Sequence, residues 1–233
     1  KTIVKKYSDH ISVGIDFVAE DGTSEQVNKG DALWTRSPKD ISDEDYKSFY
    51  QSHFMAFDDP FTTLHNRSEG TLEFTNLLFV PSRAPFDLFD PERKSKLSLY
   101  INRVFITNDL DAVLPKWLRF VQGILDTTSL DLNVSRELVQ SSPVLGKIKK
   151  AITKRVIGEL KKKLKKDAEG YDAFWAQFGR VIKEGLYEDF ENRDKVAEIV
   201  RVYSRKLDSN ITLQDYVGGF AKDQKNIYYL TAD

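Results

Sequence analysis

The chain has 233 residues, a net charge of −1 and no cysteine, and 40% of its residues are hydrophobic. This composition is typical of a globular protein with a substantial core, and it excludes disulfides, thiolate metal sites and cysteine nucleophiles. The near-zero charge gives no overall attraction to nucleic acid or anionic lipid, and no apolar run approaches the about 18–20 residues that a membrane-spanning helix needs. The absence of cysteine is compatible with a reducing compartment, and we expect a cytoplasmic location.

The first part of the chain predicts a strand followed by an amphipathic helix. Residues 11–18 alternate apolar with small or polar side chains, which is typical of a strand. Ser42 is a candidate N-cap with Asp45 three residues later. Aromatic residues then recur at helical spacing, which predicts a helix with its aromatic face against a core: Tyr46, Phe49, Tyr50, Phe54 and Phe57.

The middle of the chain predicts two long strands and then a helix. The strands cover residues 71–80 and 97–106, and a loop with two prolines and the aromatic residues Phe86 and Phe89 separates them. Residues 111–124 have a helical pattern, and residues 130–134 are a short extended stretch.

The last part of the chain predicts mainly helices. A long helical pattern covers residues 136–166, but Ser142-Pro143 is typical of a helix start, so two helices are expected there. Further helices are expected at residues 171–182 and 191–206, and a strand at residues 227–230. Because a lone terminal strand is stable only when it is paired, we expect the chain to stop inside a second small domain of a longer protein.

Most common catalytic motifs are absent from the sequence. It has neither of the glycine-rich phosphate-binding motifs and no G-x-S-x-G elbow, so the chain is not expected to bind a nucleotide by itself. His10, His53 and His65 do not have metal-ligand spacing, and no metal site is expected.

Residues 147–166 are strongly basic. Ten lysine or arginine residues stand against the single acid Glu159. They form either a solvated helix face over an intact apolar stripe or a surface for phosphate backbone or an acidic partner. Aromatic residues are not interleaved with these charges, so nucleic acid is not the expected partner.

The segment L-D-L-N-V-S-R-E-L-V-Q, residues 130–140, places Arg136 between an extended stretch and a helix. A guanidinium is permanently charged and forms two parallel hydrogen bonds with phosphate oxygens. Arg136 therefore either reaches a ligand held by another domain or pairs with a nearby carboxylate such as Asp131 or Glu137.

Several motifs in order resemble the heat-shock protein 90 chaperone family. They are A-L-W-T-R at 32–36, R-A-P-F-D-L-F at 83–89, L-N-V-S-R-E at 132–137 and Q-K-N-I-Y-Y-L-T at 224–231. Residues 78–82 and 231–233 resemble the bacterial form of the family. The resemblance covers essentially the whole chain and corresponds to the family's middle domain.

The resemblance implies a fold and a domain organisation. The expected fold is α/β: a three-layer α-β-α sandwich of the ribosomal protein S5 domain 2-like kind, then a helical coil and the start of a truncated small α/β unit. The corresponding boundaries are residues 1–140, 141–207 and 208–233.

The resemblance also implies an ATP-dependent chaperone that acts as a homodimer on client proteins. Arg136 would contact the γ-phosphate, Gln140 would assist it, and Asn133 would set the loop conformation. ATP and Mg²⁺ would be held by an absent N-terminal domain, a C-terminal domain would dimerise, and this segment alone would not hydrolyse ATP.

Trp34 and Phe86 match positions that the family uses for client contact or domain docking, and Phe89 is a further candidate for client contact beside them. Two alternatives stay open, because large aromatic side chains are either exposed for binding or mostly buried in a core. The remaining alternative for the whole chain is the transducer domain of a mismatch-repair or topoisomerase ATPase. Those families send a lysine to the γ-phosphate, which the arginine in N-V-S-R-E does not match.

Overall fold

A computed structural model describes residues 1–108, 110, 113–131 and 142–230 of the chain. It divides into two units, Lys1–Thr153 and Lys154–Asp233. The helices are α1 (Thr2–Tyr7), α2 (Asp43–Phe54), α3 (Pro143–Lys166), α4 (Ala168–Glu188), α5 (Arg193–Ala197) and α6 (Leu213–Gly218). The strands are β1 (Asp16–Val18), β2 (Ser24–Gln26), β3 (Pro60–Ser68), β4 (Phe74–Pro81), β5 (Lys96–Ile101), β6 (Val104–Thr107), β7 (Gln122–Thr127), β8 (Arg201–Ser204) and β9 (Ser209–Thr212).

A five-stranded mixed sheet is the centre of the first unit. Its strand order is β3-β4-β7-β5-β6. Only the β5–β7 pair is parallel, and the β3–β4, β4–β7 and β5–β6 pairs are antiparallel. The mixed α/β class expected from the sequence is therefore confirmed.

Both faces of the sheet are buried at β4, where consecutive residues, whose side chains point to opposite sides, are all buried. In β4, Leu77 and Phe79 pack on the face that carries α2, Trp34 and Tyr100. Leu78 and Val80 of the same strand are also fully buried. A strand buried on both sides reads as a continuous apolar run, which is what residues 77–80 show.

The start of α2 follows its sequence signal. The Ser42 hydroxyl accepts a hydrogen bond from Asp45 N at 3.1 Å, and the Asp45 carboxylate accepts one from Ser42 N at 3.0 Å. This reciprocal capping box satisfies two backbone donors that the first helical turn leaves without intrahelical partners. The predicted helix start at Ser42 is confirmed.

The start of α3 is also confirmed. Pro143 is its first residue, and the Ser142 hydroxyl accepts a hydrogen bond from Val144 N at 3.2 Å. The other helix expected in this region, before Ser142, lies at residues outside the described part of the chain.

The strand predicted at residues 97–106 is instead the hairpin of β5 and β6. Its two-residue turn is Asn102-Arg103, and both residues have positive φ, 51° and 65°. That conformation matches the type I′ turn that the twist of paired strands favours, and asparagine tolerates it better than most residues. Strand-forming residues stand on both sides of the turn, so the sequence pattern of residues 97–106 is that of a single strand.

The helix predicted at residues 111–124 is wrong. The structure has one 3₁₀ turn at Lys116–Leu118 and then strand β7, in which every residue is buried. The apolar spacing arises because the coil before β7 buries Val113, Leu114 and Trp117, and because β7 is covered on both faces.

The second unit is built from α4, α5 and the β8–β9 hairpin. Phe174, Phe178 and Ile182 of α4 are fully buried, which confirms the predicted apolar stripe. The Tyr171 hydroxyl donates a hydrogen bond of 2.7 Å to the Ile199 carbonyl oxygen. Burial raises the pKa of Tyr171, so this hydroxyl stays protonated as a donor.

Three further predicted elements differ from the structure in extent or in type. Residues 191–206 form the short helix α5 and then β8, because residues 200–203 are rich in β-branched and aromatic side chains. Of residues 11–18, only Asp16–Val18 belongs to a strand. Residues 227–230 form no strand, since no neighbouring strand pairs with them within the described part of the chain.

Candidate functional site

The predicted catalytic residues Asn133, Arg136 and Gln140 lie outside the described residues. The structure does describe both segments that flank them. On one side β7 ends at Thr127 and the chain continues to Asp131, and on the other side α3 begins at Pro143. These two flanks belong to the first unit.

A group of hydroxyl side chains surrounds Glu73 where the chain leaves β7. The Thr127 hydroxyl donates to the Glu73 carbonyl oxygen at 2.7 Å, and Glu73 N donates to the Ser129 hydroxyl at 3.0 Å. The Thr128 hydroxyl donates to the Glu73 carboxylate at 3.0 Å. We call Glu73, Thr127, Thr128 and Ser129 the exit cluster.

A polar cavity of about 330 Å³ lies beside the exit cluster. Its lining carries both charge signs, from the basic Arg67 and Arg103 and the acidic Glu69, Glu73 and Asp126. Asp126 is the buried member of this group. Its carboxylate accepts hydrogen bonds from Arg103 N at 3.2 Å and from the indole nitrogen Nε1 of Trp34 at 2.8 Å.

Burial controls the electrostatics of this corner. It raises the pKa of the Asp126 carboxyl, and the hydrogen bond from Trp34 acts in the opposite direction. Burial also raises the pKa of Tyr100 to about 12. The Trp34 indole N–H therefore donates a hydrogen bond that replaces part of the hydration lost by the buried Asp126 carboxylate.

Trp34 is buried, with no exposed surface, so the alternative in which its ring forms a surface patch beside Phe86 and Phe89 is wrong. The ring packs against those of His10 and Tyr100, with centroids 4.7 Å and 4.8 Å away. The physical reason is that its large apolar ring and its single N–H group both find partners in the interior.

His65 connects Trp34 to α2. Its Nε2 lies 2.9 Å from the Trp34 carbonyl oxygen, and its Nδ1 lies 2.7 Å from the Tyr46 hydroxyl. Because a carbonyl only accepts, Nε2 carries the proton, and neutral Nδ1 accepts from the tyrosine. Burial lowers the pKa of His65 and favours this neutral form.

The loop between β4 and β5 presents the aromatic residues that the sequence singled out. The Phe86 side chain is fully exposed and Phe89 is partly exposed. Arg119 lies over the Phe89 ring, with its Cζ 5.4 Å from the centroid, and its Nε donates to the Leu88 carbonyl oxygen at 2.8 Å.

Two carboxylates hold this loop in place. Asp87 forms an ion pair with Arg93, whose side chain is almost completely buried. At the start of the loop, one oxygen of Asp58 accepts hydrogen bonds from Ser82 N at 2.9 Å and Arg83 N at 3.1 Å. Phe86 is therefore exposed on a loop whose backbone is fixed at several points.

The basic helix α3 has the apolar stripe that the sequence indicated. Leu145, Ile148, Ile152, Val156 and Leu160 are buried. Lys161 forms an ion pair with Glu198, and Lys162 forms one with Glu159 at 2.9 Å. These contacts are those of a solvated face over a buried stripe.

Sequence reasoning missed Asp58, Glu73 and Asp126. Asp126 was detectable in principle, since a lone carboxylate at the end of an apolar run needs a buried donor. Across residues 1–108, 110, 113–131 and 142–230, no cluster of three or more histidine or acidic side chains is arranged to hold a metal ion. None of the helices in those ranges combines the length and apolarity that crossing a membrane requires.

Comparisons with known proteins identify the family. Residues 18–233 match the family model "Hsp90 protein". The chain is 51% identical to the chaperone protein HtpG of Orientia tsutsugamushi and 50% identical to that of Paramagnetospirillum magneticum. Each comparison covers 100% of this chain and 37% of the relative, so the chain spans about a third of the length of these proteins.

A solved structure agrees with the sequence comparisons. The middle domain of a Plasmodium falciparum heat shock protein superimposes with a TM-score of 0.77 and 31% identity, covering 85% of this chain and 78% of that domain. The chain thus has the fold of a solved middle domain, and the family match favours this assignment over a nucleic-acid module or a mismatch-repair transducer. The chain belongs to the Hsp90 protein family.

Proposed function

We propose that this chain is the middle segment of an ATP-dependent chaperone and that Arg136 completes the ATPase site of another domain. Membership of the Hsp90 family, with Arg136 inside L-N-V-S-R-E between β7 and α3, is the observation that carries the proposal. Three features of the sequence support it: an arginine nine residues after the end of β7, the start of α3 seven residues after that arginine, and no glycine-rich phosphate motif in the chain.

The proposed mechanism is electrostatic. Negative charge accumulates on the phosphoryl oxygens during hydrolysis, and a guanidinium placed beforehand stabilises that charge. Arginine fingers in phosphoryl-transfer enzymes contribute on the order of 10³–10⁵ in rate. We expect Arg136 to act at or below the lower end of that range, with Gln140 assisting and Asn133 shaping the loop.

This arrangement couples ATP to domain closure. Arg136 contacts the γ-phosphate only when the two domains meet, so ATP stabilises the closed state by the free energy of that contact. The nucleotide pocket, Mg²⁺ and the general base belong to the N-terminal domain in this proposal. Dimerisation belongs to a C-terminal domain, and the assembled protein acts as a cytoplasmic homodimer on client proteins.

The experiment separates the two halves of the ATPase site. This chain alone should hydrolyse no ATP, because it supplies only the arginine. Adding it to the isolated ATP-binding domain should increase turnover in proportion to its concentration until the two domains are saturated. Turnover by the chain alone, or no increase on mixing at saturating concentrations, would contradict the proposal.

We also propose that Phe86 and Phe89 contribute to client binding. The support is an aromatic side chain that is fully exposed on a loop held by Asp58, Arg93 and Arg119. An exposed aromatic ring on a fixed backbone loses little conformational entropy on binding. Trp34 does not share this part, because its ring has no exposed surface.

Replacing Phe86 with alanine should weaken binding of an unfolded client without changing the stability of the chain. The check is titration of a labelled, chemically unfolded protein into both variants, with urea unfolding measured in parallel. Tyr187→Ala is the matched control, since Tyr187 is also exposed but lies on α4. Equal losses for both variants, or none for Phe86→Ala, would remove the loop from client binding.

A further inference from the structure

The regular pairing of β7 ends just before the segment that carries Arg136. Thr127 is the last residue of β7 paired with β4, opposite Phe74, and the last paired with β5, opposite Ile101. Beyond it the ladder does not continue, and a single long backbone hydrogen bond, from Thr128 N to the Glu73 carbonyl oxygen at 3.4 Å, links the chain to the residue before β4. Some other contact must set where residues 128–131 go.

The exit cluster supplies those contacts. The Thr127 hydroxyl is buried, donates to the Glu73 carbonyl oxygen at 2.7 Å and accepts from Ser129 N at 3.1 Å. The second bond closes a turn of the kind that serine and threonine side chains form with the backbone two residues on. It bends the chain between Thr127 and Ser129.

Glu73 holds the other side of the bend. Its backbone N–H donates to the Ser129 hydroxyl at 3.0 Å, and its carboxylate accepts from the Thr128 hydroxyl at 3.0 Å. Three consecutive hydroxyl residues therefore bond to one residue that immediately precedes β4. Together with the long backbone bond from Thr128 N, these side chains replace the ladder that ended at Thr127.

The covalent distance makes this bend relevant to Arg136. Arg136 follows Ser129 by seven positions, so its Cα lies within about 25 Å of that of Ser129 even in a fully extended chain. The direction that the chain takes at Ser129 is therefore set only seven positions before Arg136.

We propose that the exit cluster is a positioning device for Arg136, with Glu73, Thr128 and Ser129 as positioning residues. The inference rests on the proposed function, in which Arg136 contacts the γ-phosphate. Without the cluster the arginine stays in the chain but is aimed less well, so catalysis falls while nucleotide binding does not.

The test uses a full-length Hsp90 polypeptide that contains this chain and measures steady-state ATPase activity. The double variant Thr128→Val/Ser129→Ala should lower kcat about tenfold, equivalent to about 1.4 kcal/mol, and leave KM for ATP unchanged. Glu73→Ala should also lower kcat. Glu73→Gln should retain most activity, because its amide oxygen still accepts from Thr128. Thr23→Val, which removes a threonine hydroxyl from an exposed turn with Asp21, should have no effect.

The same double variant in an Arg136→Ala background tests whether the loss of kcat depends on Arg136. No further loss of kcat is expected, since the residue being positioned is gone. An unchanged kcat in the folded double variant, or an equal additional loss in the Arg136→Ala background, would overturn the positioning proposal alone. If Arg136→Ala itself leaves kcat intact, the proposed function fails and the positioning proposal fails with it.

Discussion

The hydrogen bond between Trp34 and Asp126 stabilises a buried carboxylate in strand β7 of the five-stranded sheet. A carboxylate inside a protein is costly unless donors replace the water it loses. Asp126 has two such donors, the Trp34 indole N–H and the Arg103 backbone N–H. The tryptophan thus combines apolar packing with solvation of a charge, and the two contributions are separable by mutation.

Trp34→Phe should destabilise the chain by about 1–3 kcal/mol, because it keeps most of the ring but leaves Asp126 short of a donor. Trp34→Ala should cost more, about 3–5 kcal/mol, since it also creates a cavity. Urea unfolding of both variants checks the order. Stability of Trp34→Ala close to that of the unmodified chain would contradict the buried position of the ring.

His65 gives the stability of the first unit a dependence on pH. Burial lowers its pKa below the ordinary value of 6.5, so the unfolded state binds more protons than the folded state between the two pKa values. The stabilisation from neutral His65 is therefore fully present above pH 6.5 and is lost as the pH falls through the folded-state pKa. Asp126 acts with the opposite sign, because burial raises its pKa.

His65→Gln should weaken this dependence, since glutamine does not titrate but still has a donor for the Trp34 carbonyl; His53, whose pKa burial lowers to about 4, keeps its own contribution of the same sign. Urea unfolding midpoints of both proteins measured from about pH 5 to pH 8 provide the comparison. The unmodified chain should lose stability towards pH 5 relative to the variant. Parallel curves would show that His65 is not the group responsible.

At the scale of elements, the close approach of β4 and β7 requires a glycine. A Cβ added at Gly123 would lie 2.4 Å from the Leu77 carbonyl oxygen and 2.8 Å from the Leu78 Cα. These are backbone atoms of the neighbouring strand β4, so they cannot move aside as a flexible side chain does. Gly146 of α3 has open space instead, with nothing within 4 Å of such a Cβ.

Gly123→Ala should therefore destabilise the chain by about 1–3 kcal/mol or more through overpacking. Gly146→Ala is the matched control and should stabilise it by about 0.4–1 kcal/mol, because alanine restricts the unfolded chain and suits a helix. Thermal unfolding of the two variants should show shifts of opposite sign. Two shifts in the same direction would contradict the sheet register around β7.

The elements that the sequence predicted correctly are those with local signals. Ser42 and Ser142-Pro143 mark helix starts through contacts within one turn, and the stripe from Tyr171 to Ile182 has a single buried face. Strand β7 was missed because the strands that pair with it, β4 and β5, lie at other places in the sequence and leave no local signal. A strand buried on both faces has no alternation, and its apolar residues also fit a helical spacing.

At the scale of the whole molecule, the family and fold class were predictable, because several specific motifs occur in order along the chain. The role of Trp34 as a buried donor to Asp126 was not predictable from the sequence. A large aromatic residue in a recognisable motif is compatible with a binding surface and with a core, and only the position of Asp126 distinguishes them. The exit cluster was equally hidden, since Glu73 and Thr128 meet only through the sheet register.

The role of Arg136 in the ATPase site is tested by the ATPase rate at saturating ATP. The measurement uses a full-length Hsp90 polypeptide that contains this chain and compares Arg136→Ala with the unmodified protein. Arg205→Ala is the control, because Arg205 lies in the exposed turn between β8 and β9. We predict that Arg136→Ala lowers kcat by at least about tenfold with little change in nucleotide affinity, whereas Arg205→Ala changes neither. An unchanged kcat for the folded Arg136→Ala protein would contradict the proposal that this segment completes the ATPase site.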